Sequence, residues 1–489
     1  MTRIWHDAGR VTDGVWMAGW GLCKCVRGLA VGTIACAALS CVVPLASADT
    51  IEGALVQAYQ NNPTLNAQRA SVRATDEGVP QALAGYRPRV NVNGSIGTQY
   101  FDTTTRSQTF GIGNTYTQLS GNMTPSNFGV TATQTLYNGF QTSNRTRQAE
   151  SQVQAARETL RVTEQTVLLN AVTAYMNLLR DGAILDLQRR NVEVLQEQLR
   201  QTRDRFNVGE VTRTDVAQSE SRLAAGRSQV LNAEAVYKAS VATYRQVIGV
   251  EPGKLTPGSP VDRFSPHNLP AAVGLATATH PAVTNAQYSV DAALLQVKVA
   301  EGALYPTLSL QGNVQQSYET SLLGLRTFNA SVIGQLIVPI YQGGAEYSLI
   351  RQAKETLGQR RLDLDTARDQ VRQSVVQAWG QLEAAKANID ATQAQVQASE
   401  IALNGVREEA RVGQRTTLDV LNAQQELVNA RVSLVSAQRD RVVASYTLLA
   451  AVGGLSPQML GLRVPTYDSN VHYQQVRDTW AGVRTPDGR

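Results

Sequence analysis

The chain has 489 residues, a formal net charge of +5 and aromatics at 6 %. Residues 1–48 hold four bases and two acids, which leaves 41 bases against 38 acids in the remainder. That near-balance argues against the clustered basic surface a nucleic-acid partner needs, and the wealth of Ala, Gln, Val and Arg suits closely packed long helices better than a bulky globular core.

The first 48 residues read as a signal peptide. Arg10, Lys24 and Arg27 precede an apolar stretch over 29–45, and Ala46-Ser47-Ala48 supplies small residues for cleavage before Asp49. Met17 is a plausible start. All four cysteines (Cys23, Cys25, Cys36, Cys41) lie in this segment, so the mature chain is expected to be free of thiols. Lipid attachment at Cys41 is the competing reading, but Ala38-Leu39-Ser40 is a poor match for it and the apolar run continues past the cysteine. No later apolar run has the length of a transmembrane helix. A mature chain that enters a membrane must therefore do so as β-strands.

Internal repetition organises the rest. Asn62-Pro63 recurs as His280-Pro281, Pro88 as Pro306 and Gly94 as Gly312, each 218 positions on. Tyr137-Asn138-Gly139 returns as Tyr341-Gln342-Gly343, Val208-Gly209 as Val412-Gly413, and Asp215-Val216 as Asp419-Val420, each 204 positions on. The difference lies between the strands of the first hairpin, where a loop over 101–127 is expected to exceed its counterpart near 319–329. Two repeats follow, over 49–248 and 275–462, joined by a Pro- and Gly-rich linker over 249–274 placed at the equator. A polar tail, 463–489, either wraps the waist or remains without structure.

Each repeat reads helix, strand, strand, long helix, turn, helix. Pro63 and Pro281 fit a first helical position, with Asn62 capping the first, and Pro88 and Pro306 stop the helices before them. The first strand sets Val90, Val92, Ile96 and Tyr100 against Asn91, Asn93, Ser95 and Gln99. Phe128, Val130, Ala132 and Leu136 alternate with Gly129, Thr131, Thr133 and Thr135 in the second. Leu308, Leu310, Val314 and Tyr318 oppose Ser309, Gln311, Asn313 and Gln315 in the third, and the fourth, near 330–340, is more apolar throughout. Such segments fit a transmembrane barrel with a wet interior, and a half-buried soluble sheet shares the same period of two. Heptads then run through 141–207, with Val153, Leu160 and Val167 and again Leu178, Leu185 and Leu199, and the second repeat copies them with Leu357, Leu364 and Val371. One helix over 141–207 would be roughly 100 Å long. The helices over 51–86 and 213–248 together match that length and are expected to stack end to end beside it.

Four strands cannot close a sheet, and an open edge in lipid leaves backbone groups unpaired at several kcal/mol each. The backbone itself thus requires association of two, three or four copies; three would give twelve strands.

Two segments carry a family resemblance. Arg205-Phe206-Asn207-Val208-Gly209-Glu210-Val211-Thr212-Arg213-Thr214-Asp215-Val216 and Arg411-Val412-Gly413-Gln414-Arg415-Thr416-Thr417-Leu418-Asp419-Val420-Leu421 resemble the paired helix turns of the TolC family. Asn62-Pro63 and Tyr341-Gln342-Gly343-Gly344 resemble its other landmarks, and the similarity spans about 50–460. The resemblance implies a mixed α/β membrane protein: a homotrimer whose transmembrane β-barrel, four strands per chain and twelve in all, continues into an α-helical coiled-coil tunnel in the periplasm. It also implies an outer-membrane exit duct. Such a duct is served by a periplasmic adaptor (a membrane fusion protein) and an inner-membrane transporter of the ABC, RND or MFS type, in drug efflux or type I protein secretion.

Gly209 and Gly413 have a structural role available as C-cap residues, and Asp215 and Asp419 sit in a first helical turn where a carboxylate favours the helix dipole. By resemblance the same turns close the tunnel entrance. Arg415 would tether Thr214 and Asp215 of a neighbouring hairpin, and Asp419 would contribute to an acidic ring that favours cations. The family's second ring acid is Asn422 here, and an aromatic tether residue is Ala410. Val208, Gly209 and Glu210 with Val412, Gly413 and Gln414 would form the tips an adaptor meets. No catalytic constellation, cofactor site or metal site is expected; His267, His280 and His472 are isolated in sequence. The alternative is a coiled-coil adaptor or envelope tether without a pore.

Overall fold

The computed structural model describes residues 50–111, 113–320, 324–486 and 488. The expected signal segment, with its cleavage site, the candidate start at Met17 and all four cysteines, lies outside the described residues. Three helices, α1 (Ile51–Asn61), α2 (Pro63–Asp76) and α3 (Gly78–Leu83), occupy the stretch expected to hold one. The break between α1 and α2 is built by Asn62, whose extended backbone stops α1 while its side chain accepts from the Thr64 and Leu65 N–H groups at 3.0 and 3.3 Å.

Four strands make one antiparallel sheet and two more make a separate hairpin among the described residues. The sheet contains β1 (Arg89–Ile96), β4 (Ser126–Asn138), β5 (Thr307–Tyr318) and β6 (Arg326–Ile337) in the order β1-β4-β5-β6. The hairpin pairs β2 (Gln99–Thr109) with β3 (Gly113–Met123). The long loop expected over 101–127 is thus mostly ladder, and Tyr100 belongs to it rather than to β1. Gly97 and Pro125 mark the kink between the two ladders. Proline cannot donate to a ladder, and the Gly97 N–H bonds the Pro125 carbonyl at 3.0 Å instead.

Register gives the sheet two unlike faces. Val92, Val130, Val314 and Ala330 stand opposite one another across the four strands, while Asn91, Thr131, Asn313 and Ser331 form the neighbouring row. Opposed residues share a face and successive residues alternate, so one face is apolar and the other polar. The polar face is knitted across strands: Thr131 Oγ1 donates to Asn313 Oδ1 at 3.2 Å and Gln315 Nε2 to Asn127 Oδ1 at 3.3 Å. On the apolar face Ile96, Phe328 and Val332 are 79 %, 67 % and 76 % exposed in the single chain. Leu136, read as part of the regular alternation, sits at a β-bulge between Thr135 and Tyr137. The outer edges of β1 and β6 have no neighbouring strand among the described residues.

Helix α4 (Gln141–Asn207) runs 67 residues without a break, or about 100 Å. Helix α5 (Arg213–Ile248) returns beside its far half, and α1, α2 and α3 cover the half nearer the sheet. The second repeat continues with α6 (Leu269–Thr279), α7 (Pro281–Gly302), α8 (Ala345–Arg411, again 67 residues) and α9 (Thr417–Ala451). Helix α6 begins inside the stretch read as linker, because Asn268 caps it with a bond from the Ala271 N–H at 2.8 Å. The heptad positions Val153, Leu160, Leu185 and Leu199 on α4, and Leu357, Val371, Leu382 and Leu403 on α8, are buried.

The repeats meet at a waist where Leu55, Leu168, Val172, Tyr175, Tyr244, Ile248, Tyr446 and Leu449 form one apolar cluster. Linker residues fold onto it: Tyr175 Oη donates to the Thr256 carbonyl at 2.6 Å, and the Val261 N–H bonds Ser445 Oγ at 3.1 Å. The tail is ordered over most of its length and contains α10 (Ser469–Val476). It runs along α1–α3 toward the sheet, with Arg69 over Tyr59 and Tyr467, Arg157 over Tyr473 and Arg87 over Trp480, each within 6 Å.

His280 fills in the second repeat the place Asn62 holds in the first. Its Nδ1 accepts from the Ala282 N–H at 3.1 Å and caps α7. Burial depresses its pKa, partly offset by its bond to the Ala450 backbone. A histidine held neutral contributes stability that is complete above about 6.5 and is lost as pH falls through its lower folded value. Protonation also removes the acceptor that caps the helix. Replacing His280→Asn keeps an acceptor without the titration. The stability gap between wild type and this variant should therefore shift by about 1 kcal/mol in the variant's favour between pH 7 and 5, read by thermal denaturation; a gap independent of pH would refute the cap.

Candidate functional site

The far ends of the two helical hairpins are near-copies of one design. Helix α4 ends at Val208 and Gly209, with Gly209 at φ +84°; the Gly209 and Glu210 N–H groups return to the Phe206 and Arg205 carbonyls at 3.0 and 2.9 Å. Helix α8 ends the same way, with Gly413 at φ +80° and the Gly413 and Gln414 N–H groups on the Ala410 and Glu409 carbonyls at 3.2 and 2.9 Å. These bonds satisfy carbonyls a helix end would leave free, and the left-handed residue makes them possible. Around both glycines there is open space. Val208 and Val412 are exposed at 72 % and 70 %, so each tip presents an apolar side chain to its surroundings.

A capping box then starts each returning helix. Thr212 Oγ1 accepts from the Asp215 N–H at 3.3 Å while Asp215 Oδ2 accepts from the Thr212 N–H at 2.9 Å, and Thr416 with Asp419 repeats the arrangement at 3.3 and 3.0 Å. The threonine three residues before each aspartate was present in the sequence as a signal for this. The Thr416 backbone and hydroxyl bonds, with Arg415 nearby, hold the Asp419 carboxyl below the usual carboxylate range. Asp419 is therefore charged at neutral pH, half-buried at the base of the tip.

Arg415 donates from Nε to Glu409 Oε2 at 2.9 Å, within its own hairpin, and this carboxylate raises its pKa. The first tip places its pair the other way round, with Arg205 before the turn and Glu210 after it at 3.0 Å. No bond joins Arg415 to Thr214 or Asp215 among the described residues of this single chain. Asn422 accepts from Arg222 Nη2 of α5 at 2.7 Å, a partner the sequence did not suggest.

A model of the outer membrane efflux protein family matches residues 54–250 and 272–454. The outer membrane efflux protein BepC of Brucella suis is 42 % identical over 91 % of this chain and 94 % of its own. The outer membrane protein TolC of Escherichia coli is 26 % identical over 85 % of this chain and 84 % of its own. Among solved structures, the CmeC outer membrane channel of Campylobacter jejuni superposes with a TM-score of 0.71 at 17 % identity, covering 88 % of this chain and 89 % of that one. This last likeness is one of fold.

Proposed function

The chain belongs to the outer membrane efflux protein family, and from that premise we propose that three copies assemble into an outer-membrane exit duct of twelve strands, fed by a periplasmic adaptor and an inner-membrane transporter. It is an outer-membrane protein of the TolC family. The observation that carries the duct is the sheet: an apolar face for lipid, a polar face for water and two open edges, on helices about 100 Å long. Edge pairing of β6 with β1 of the next copy satisfies the backbone groups that lipid cannot. Among the described residues no helix is long and apolar enough to cross a membrane, which leaves the sheet as the described element suited to lipid. A non-channel adaptor or tether finds no support: it has no use for a wet sheet face opposite a lipid face.

In this reading the hairpin tips are the periplasmic mouth. Val208, Gly209 and Glu210, with Val412, Gly413 and Gln414, dock the adaptor. Arg415 exchanges its exposed pair with Glu409 for Thr214 and Asp215 of the adjacent chain when the ring closes, and Asp419 lines the constriction. The cargo is chosen by the transporter, because a wide duct makes few specific contacts. Planar-bilayer recording tests the whole. Arg415→Ala should raise the single-channel conductance severalfold, and Asp419→Ala should lower the preference for cations at unchanged conductance. Absence of any conductance in wild type would remove the duct; variants that match wild type in both respects would remove the gate.

A further inference from the structure

Four residues within five positions of α9 carry the contacts behind the tip. Val420 packs into its own hairpin with Leu403 and Leu427. Leu421, 3 % exposed, inserts instead into the other hairpin, among Leu195 and Leu199 of α4 and Leu223 of α5. Asn422 accepts from Arg222 Nη2 of α5 at 2.7 Å. Gln424, 9 % exposed, donates from Nε2 to Asn191 Oδ1 of α4 at 3.4 Å while its Oε1 accepts from Arg407 of α8 at 3.0 Å. All four long helices of the chain are thereby joined at one level.

We propose that Leu421, Arg222–Asn422 and Asn191–Gln424–Arg407 form an intrachain latch that locks the two hairpins of one protomer together at the tunnel mouth, with Arg222 and Asn422 as its positioning residues. The proposal rests on the duct reading. It assigns Asn422 a role other than that of a missing ring acid: its side chain is engaged by α5. It also separates two kinds of closure. Contacts of Arg415 would operate between chains, whereas this latch keeps the second hairpin from sliding over the first. Water competes least for the Gln424 links, which are buried or part-buried, whereas the Arg222–Asn422 bond lies at the surface beside the packed Leu421.

The test uses the full oligomer in planar bilayers. Arg222→Ala and Asn422→Ala should each raise single-channel conductance severalfold, and the double variant should rise no further than the larger single, since both remove one bond. Asn422→Asp sets a carboxylate against the guanidinium, a stronger charge-assisted bond, and should lower conductance. A residue facing the pore would instead increase cation preference there without lowering conductance, which would overturn the latch. Wild-type channels that conduct beside single variants of unchanged conductance also overturn it and leave the duct standing. Wild type that never conducts removes the duct itself. A disturbed fold in the alanine variants is controlled by a second measurement. With the natural cysteines confined to 1–48, a double variant Arg222→Cys and Asn422→Cys can be joined by a short flexible bis-maleimide. The joined form should return to wild-type conductance or below, and equal conductance before and after joining refutes the latch.

Discussion

Replacing Gly139→Ala should destabilise the folded chain severely, while the matching change Gly343→Ala in the second repeat costs markedly less. Both glycines sit where a strand turns into a 67-residue helix, and both have positive φ, +62° and +68°. A side chain in the left-handed region costs about 1–2 kcal/mol at either position. Only Gly139 also lacks room. A Cβ there would strike the Gly302 carbonyl and lie 2.8 Å from Tyr305 Cβ, whereas at Gly343 it meets open space. Overpacking against backbone adds about 1–3 kcal/mol, which brings the total at Gly139 to roughly 2–5 kcal/mol. The contact is reciprocal, since a Cβ on Gly302 would lie 2.6 Å from the Gly139 carbonyl oxygen. Thermal denaturation reads the difference; equal losses at 139 and 343 would show that the close approach to Gly302 does not matter.

The second large effect is expected at the tail. Asp76 of α2 is fully buried, and His472 of α10 meets its Oδ2 at 3.0 Å while Oδ1 has no hydrogen-bond partner among the described residues. Burial raises the Asp76 pKa, opposed by the His472 bond and by the charge of Arg157. With His472→Ala the carboxyl loses its hydrogen-bond partner in a buried site, a loss of about 3 kcal/mol. The tail should then leave α2 and be cut by protease at neutral pH many times faster than in wild type. The sign with pH follows from the raised pKa. A carboxyl whose folded form favours the proton regains its place as pH falls through the raised value. Acidification should therefore restore protection in the variant, and a tail cut at wild-type rates at neutral pH would refute the clasp.

The sequence made the plan of the fold readable because that plan is periodic. Heptad leucines and valines report burial every seven residues, paired landmarks report duplication, and alternating side chains report the two faces of the sheet. Gly209, Gly413 and Asn62 were legible for a related reason, since each acts on a backbone within three residues. The hairpin of β2 and β3 escaped because its alternation is written in Thr, Ser, Gln and Asn, which carry no hydrophobic period. His280 escaped as a cap because imidazole is an uncommon one, although its alignment with Asn62 was in view. Arg222–Asn422 and Asp76–His472 join positions 200 and 396 residues apart. Such pairs depend on how finished helices lie against each other, and no local spacing announces them.

The seam of the sheet fixes an order of events in the life of the chain. Strands β4 and β5 are neighbours in the ladder, yet α4, α5, α6 and α7 lie between them in sequence. Helical hairpins close over short turns and can form as soon as their residues are available, whereas the seam must wait for a chain segment of about 170 residues to fold back, with the entropy of that closure already met by packed helices. The chain is therefore obliged to build its water-soluble part first. Its lipid-facing part comes together late, on a frame already in place, and any pairing of the outer edges of β1 and β6 can only follow that closure.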